Sequence, residues 1–201
     1  TSRFGNGHYQ AAQTLAMQLR QLSGVNPIVI DLIGLILDEH KDSVYEAYGS
    51  FVNKGGSSLF NLLYKHTDNG ELQGFLPLKK SFTSAIRRLV VTHSADMLIA
   101  TYSAAAMAAS AYKKQYRHKL PLITCITDVI SHNNWLTPQT DGYLVAAPLS
   151  KQLLSKKGVA AEKIFVTGIP VDEVYHHLPR HRQEAVRRLL VMGGGCGLLP
   201  K

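Results

Sequence analysis

The chain has 201 residues, 45% hydrophobic and 18% charged, which excludes a disordered or fibrous polypeptide and allows one α/β domain with a proper core, or that domain and the start of another. Lysine and arginine number 22 against 14 acidic residues, a net charge of +8, so an acidic partner is implied: nucleic acid, an anionic membrane or a phosphorylated substrate. The cysteines, Cys125 and Cys196, have no second ligand beside them in sequence, which argues against disulfide and zinc and fits a reducing interior.

Thr1 to Phe4 reads as the end of a strand. From His8 to Leu22, Ala11, Ala12, Leu15, Ala16, Leu19 and Leu22 recur at helical spacing, and Gly24 is a stop. The β-branched run from Pro27 to Leu32 predicts a buried strand. Val44, Tyr45, Tyr48, Phe51 and Val52 share one helical face, with Ser43 and Glu46 at capping-box spacing. Gly55-Gly56 breaks that pattern, and Ser57 to Lys65 is short, apolar and basic at its end. Leu78 to Leu89 returns to helical spacing, with Lys79, Lys80, Arg87 and Arg88 on its polar side. Strands follow at Asp96–Thr101, Leu120–Asp128, Gly142–Ala147 and Lys163–Thr167, with helices at Ala104–Tyr116 and Ser150–Lys157. Tyr175 to Arg180 is a polar connector, and a last strand runs from Arg188 into Gly193-Gly194-Gly195.

This alternation predicts a doubly wound, Rossmann-like parallel sheet over residues 1–178, with 179–201 as a linker and the opening of a second domain. Such sheets bind ligands at the carboxyl ends of their strands, so the loops after Phe4, Thr101, Asp128 and Thr167 carry the chemistry. In the first of them, Gly5-Asn6-Gly7-His8, glycines allow a sharp turn and a close approach to a ligand. The helix that follows presents free N–H groups and a partial positive charge. That charge disfavours imidazolium in the first turn, so His8 is expected to be neutral and able to accept a proton.

Four segments, in order, resemble the family of monogalactosyldiacylglycerol synthases and bacterial processive diacylglycerol glucosyltransferases, two-domain enzymes of the GT-B fold. They are Gly5-x-Gly7-His8-x-x-Ala11-Ala12; Thr127-Asp128-x-x-x-His132-x-x-Trp135; Val166-Thr167-Gly168-Ile169-Pro170-Val171; and Leu190 through the triple glycine. The resemblance implies an amino-terminal, acceptor-side domain, with donor selectivity encoded in a domain that begins near residue 190 and lies mostly outside this chain. On that likeness His8 is the candidate general base. Gly5, Asn6, Gly7, Tyr102, Ser103, Asp128, His132 and Trp135 line the acceptor side, with Trp135 at a lipid–water boundary. Gly168, Pro170, Gly193, Gly194 and Gly195 lie toward the donor. Two departures stand out: Tyr102-Ser103 replaces a His-Pro-type pair, and Arg3 replaces an acid of plant relatives.

The activity implied is inverting transfer of a hexose from a nucleotide sugar, UDP-glucose or UDP-galactose, to diacylglycerol, with no cofactor and no metal. The chain alone is expected to bind lipid but transfer little sugar. Rival readings are a transferase for a polyprenyl-linked acceptor and a non-catalytic lipid-binding member. Nucleic acid is disfavoured, because no basic–aromatic stripe is present. No apolar run reaches bilayer-spanning length, so a peripheral place on the cytoplasmic face of an anionic membrane is expected. Phe51, Lys54, Leu59, Phe60, Leu63 and Lys65 are the candidate membrane contacts. Each basic residue near such a surface adds about 1 kcal/mol.

Overall fold

The computed structural model describes residues 1–4, 6–37, 40–51, 79–129 and 132–177. Among the described residues, four short strands form one parallel sheet in the order β1 (Leu98–Ala100), β2 (Leu122–Cys125), β3 (Gly142–Val145) and β4 (Ile164–Val166). The fold is α/β and Rossmann-like, as the alternating pattern implies. The helices are α1 (Gly7–Leu19), α2 (Leu32–Leu37), α3 (Lys41–Phe51), α4 (Lys79–His93), α5 (Ser103–Tyr116) and α6 (Pro148–Lys156). α5 carries the chain from β1 to β2 and α6 from β3 to β4, while β2 reaches β3 through a 3-10 turn at Asn133–Trp135.

The core has two parts, and sequence explains each. α4 buries Phe82, Ala85, Ile86 and Val90, its helical stripe. It meets α5, whose Ala105, Ala106, Ala108 and Ala109 are all buried; small side chains let the two helices approach closely. The second cluster gathers Ile126, Trp135, Tyr143, Val145, Leu154 and Ile164 beneath α6. Leu122, Val145 and Leu154 are 0% exposed, and burying each such side chain contributes about 1.5–3 kcal/mol.

One polar link joins these layers. Lys113, only 5% exposed, pairs with Asp141 and donates to the Gln139 carbonyl at 2.9 Å. Asp141 also accepts from the Leu122 amide at 2.8 Å. Burial pushes the Asp141 carboxyl up, but the Lys113 ammonium and the Leu122 amide outweigh it, and the carboxyl ends below its ordinary value.

Three expectations are corrected. Residues 27–32 are not a strand: Ile28 is 49% exposed, while Thr1 donates to the Ile30 carbonyl and accepts from the Leu32 amide, both at 3.1 Å. Leu32 instead opens α2, because the Asp31 carboxylate accepts from the Gly34 amide at 3.1 Å and caps the helix. α3 begins at Lys41, so Ser43 falls inside the helix and is not its cap. α1 stops at Leu19, five residues before Gly24, through tight-turn hydrogen bonds from the amides of Gln21 and Leu22. The segment 179–201 lies outside the described residues. No described helix is long and apolar enough to cross a membrane.

Candidate active site

The sharp turn before α1 is made by Asn6, whose φ of 59° is left-handed, with its amide bonded to the Arg3 carbonyl at 3.3 Å. Gly7 is already the first residue of the helix, and a Cβ built on it would meet nothing within 4 Å. The expected turning role of Gly7 therefore falls to Asn6, and Gly5 lies outside the described residues.

His8 follows, half-buried. Two hydroxyls hold its backbone: Thr101 Oγ1 donates to the His8 carbonyl at 2.9 Å and Thr1 Oγ1 at 3.0 Å. Its ring nitrogen Nδ1 lies 2.6 Å from Thr127 Oγ1. Tyr102 flanks the ring at 5.2 Å between centroids and Trp135 at 5.9 Å. Burial pushes the imidazole below its ordinary value of 6.5; the Asp128 carboxylate and the Thr101 carbonyl push the other way without prevailing. Desolvation is the largest cause of that shift, where the sequence points to the helix terminus.

Asp128, past the end of β2, turns its Oδ2 to the indole N–H of Trp135, which donates at 2.7 Å. Trp135 is 2% exposed, so its ring is packed in the core and is not a surface residue at a lipid–water boundary. His132 is also buried, at 3%, and its Nδ1 accepts the Asn134 amide at 3.0 Å. It caps the 3-10 turn that carries Trp135 and has no exposed face to offer an acceptor. The Asn134 amide oxygen in that turn is buried without a hydrogen-bond partner.

The aromatic lining continues away from Trp135. Tyr102 stands 6.2 Å from Phe4, and Phe4 stands edge-on to Tyr45 at 4.9 Å. The Tyr45 hydroxyl donates to the Asp31 carboxylate, with contacts of 2.7 and 2.8 Å, and burial with this pairing pushes it up to about 12. Arg3 lies over Tyr9 and 4.0 Å from Asp31, so its partners are these and not His8. Ser103 is the first residue of α5, next in sequence to Tyr102.

Gly168 has a φ of 81°, and its amide and that of Thr167 both donate to the Val145 carbonyl. Pro170 lines a recess of about 650 Å³ together with Gln10, Thr14 and Met17 of α1. His8 does not line that recess. The structure thus brings together His8, Tyr102, Asp128 and Trp135, and leaves Gly168 and Pro170 on a neighbouring surface. Lys54, Leu59, Phe60, Leu63, Lys65, Gly193, Gly194 and Gly195 lie outside the described residues. Phe51 closes α3, and its side chain is likewise outside the description.

Sequence reasoning missed Thr101, Thr127, Asp31, Tyr45 and Phe4. Thr101 closes a predicted strand and Thr127 stands next to last in another, inside the Thr127-Asp128 motif, but neither was assigned to the site. Among the described residues no group of three or more His, Cys, Asp or Glu is placed to hold a metal ion.

An imidazole flanked by aromatic rings at the carboxyl edge of a parallel sheet is what this α/β domain presents. The chain belongs to the monogalactosyldiacylglycerol (MGDG) synthase family, whose match spans residues 8–171. It is similar to the processive diacylglycerol beta-glucosyltransferase of Bacillus cytotoxicus (strain DSM 22905 / CIP 110041 / 391-98 / NVH 391-98), 28% identical over 99% of this chain and 53% of the relative. The proteins of the same description from Bacillus cereus (strain G9842) and Bacillus thuringiensis (strain Al Hakam) match at the same identity and coverage. The chain spans about half the length of these relatives. No solved structure matches it. Its family is one of diacylglycerol glycosyltransferases, which act in glycolipid synthesis.

Proposed function

We propose that the protein carrying this chain transfers a hexose from a nucleotide sugar to the hydroxyl of diacylglycerol at a membrane surface, with inversion. The hydroxyl oxygen bonds to the anomeric carbon as the bond to the nucleotide diphosphate breaks. The diphosphate leaves with the electron pair, and His8 takes the hydroxyl proton. The observation that carries this reading is His8 itself, a half-buried imidazole with its pKa pushed down, held at the mouth of α1 beside Tyr102 and Trp135.

The free amides of the first turn of α1 suit a developing negative charge. The aromatic lining from Tyr102 through Phe4 to Tyr45 suits the glyceride end of the acceptor. Nucleotide binding and donor choice are assigned to the remainder of the full-length protein. The hexose is taken as glucose, after the names of the relatives that match 99% of this chain.

Membrane contact is supported by α4. Lys79, Lys80, Arg87 and Arg88 are exposed on it, no acidic residue occurs along it, and Val91 is 69% exposed on the same helix. A basic face with an apolar element matches how a peripheral protein lies on an anionic leaflet. The surface proposed is cytoplasmic.

The test is an assay of the full-length protein on vesicles holding diacylglycerol and anionic lipid, with UDP-glucose and UDP-galactose offered separately. Glucosyl-diacylglycerol is the expected product. Product from UDP-galactose alone would overturn the choice of sugar, and no lipid product with either donor would overturn the reading.

A further inference from the structure

We propose that Thr127 is a positioning residue that fixes the tautomer of His8, accepting its Nδ1–H so that Nε2 presents a lone pair to the acceptor hydroxyl. This rests on the reading of His8 as the base. Three observations carry it.

The first is contact. Thr127 Oγ1 lies 2.6 Å from Nδ1, across 119 residues of chain, so the fold and not local sequence makes the pair. Thr127 follows the end of β2, where the sheet delivers its loops.

The second is the state of the neighbouring acid. Asp128 is the side chain of the charge type that orients a catalytic histidine elsewhere, but its Oδ2 is taken by the Trp135 indole at 2.7 Å. Its influence on His8 is a field at a distance, and Thr127 is the side chain in hydrogen-bond contact with the ring.

The third is that the ring is held against rotation. The hydroxyls of Thr101 and Thr1 fix the backbone of His8, and Tyr102 and Trp135 flank the ring. With Nδ1 against Thr127, Nε2 occupies the opposite edge of the imidazole.

The direction of the hydrogen bond follows from the chemistry. A base must hold its proton after taking it, and in imidazolium both nitrogens are donors. A threonine oxygen that accepts from Nδ1–H keeps the same contact before and after transfer. A threonine that donated to Nδ1 would place the hydrogen on Nε2 and leave no lone pair for the acceptor. A hydroxyl also orients the ring without adding a charge, which leaves the imidazole neutral in its partly buried site.

The test uses Thr127→Val, which removes the oxygen at nearly constant volume, and Thr127→Ser, which restores it. Nitrogen-15 NMR of the full-length protein reads the His8 tautomer directly, with the resonance assigned by its loss in His8→Gln. Nδ1–H is expected in the parent and in Thr127→Ser, and a shift toward Nε2–H in Thr127→Val. In the full-length protein, Thr127→Val is expected to lower kcat about tenfold, a fraction of what a general base supplies, with acceptor KM little changed and Thr127→Ser recovering most of the loss. An Nε2–H tautomer in the parent, or an unchanged tautomer in Thr127→Val, would overturn the proposal. If the tautomer behaves as expected but kcat does not follow, the role of His8 as base fails while the pairing stands.

Discussion

At His8 two influences oppose one another. Burial disfavours imidazolium, while the Asp128 carboxylate and the Thr101 carbonyl favour it, and burial prevails. The expected consequence for rate is one-sided: with His8 proposed as the base, its neutral form is the competent one, so the acid limb of kcat/KM is expected below pH 6.5, and raising the pH through that limb increases activity. Stability follows the same sign. The unfolded chain binds the proton more readily, so the contribution of His8 is fully present above about 6.5 and declines as pH falls toward the lower native value. A pH–rate profile of the full-length protein checks this; an acid limb above 6.5 would show that another group, or a charged His8, governs the rate. The histidine, the acid and the tryptophan were legible because each has a chemistry that motifs can carry. Thr127 stood in the same motif as Asp128 and Trp135, and Thr101 at a strand end, but the role of each was not legible, because a hydroxyl that orients a neighbour leaves no periodic or compositional trace.

Elements were legible in proportion to their periodicity. α4 buries Phe82, Ala85 and Ile86 of the stripe that its helical spacing predicts, and α5 falls where a helix was expected, since each is long enough for its pattern to show. α2 was not, because LIGLIL is apolar throughout and a short apolar run does not distinguish helix from strand. Its signal was Asp31, an acid just before the run, whose capping bond decides the matter. The buried link between α5 and the start of β3 was equally hidden, because Lys113 and Asp141 are 28 residues apart. Their chemistry is asymmetric. Asp141→Asn leaves the Lys113 ammonium buried without a counter-charge and is expected to cost about 3 kcal/mol. Lys113→Met removes that charge, and the half-exposed Asp141 is solvated, so about 1 kcal/mol is expected. Urea unfolding of the two variants checks the order, and equal losses would show that the pair acts through packing alone.

For the whole molecule, parallel topology explains why distant residues converge. His8 precedes most of α1, Tyr102 follows β1, and Thr127, Asp128 and Trp135 follow β2, so the sheet collects them at one edge. That convergence was readable from the alternation of strands and helices alone. The burial of Trp135 and His132 was not, because it depends on how the loop after β2 folds back over α5 and β3. Gly168 and Pro170 also answer to topology, but the loop after β4 opens beside α1 and not onto His8. The most direct test of the account is turnover of the full-length protein with His8→Gln, measured on diacylglycerol vesicles with saturating nucleotide sugar. A fall in kcat of at least about 100-fold with acceptor KM little changed is the result predicted for a lost general base, and a kcat within a few-fold of the parent would contradict it.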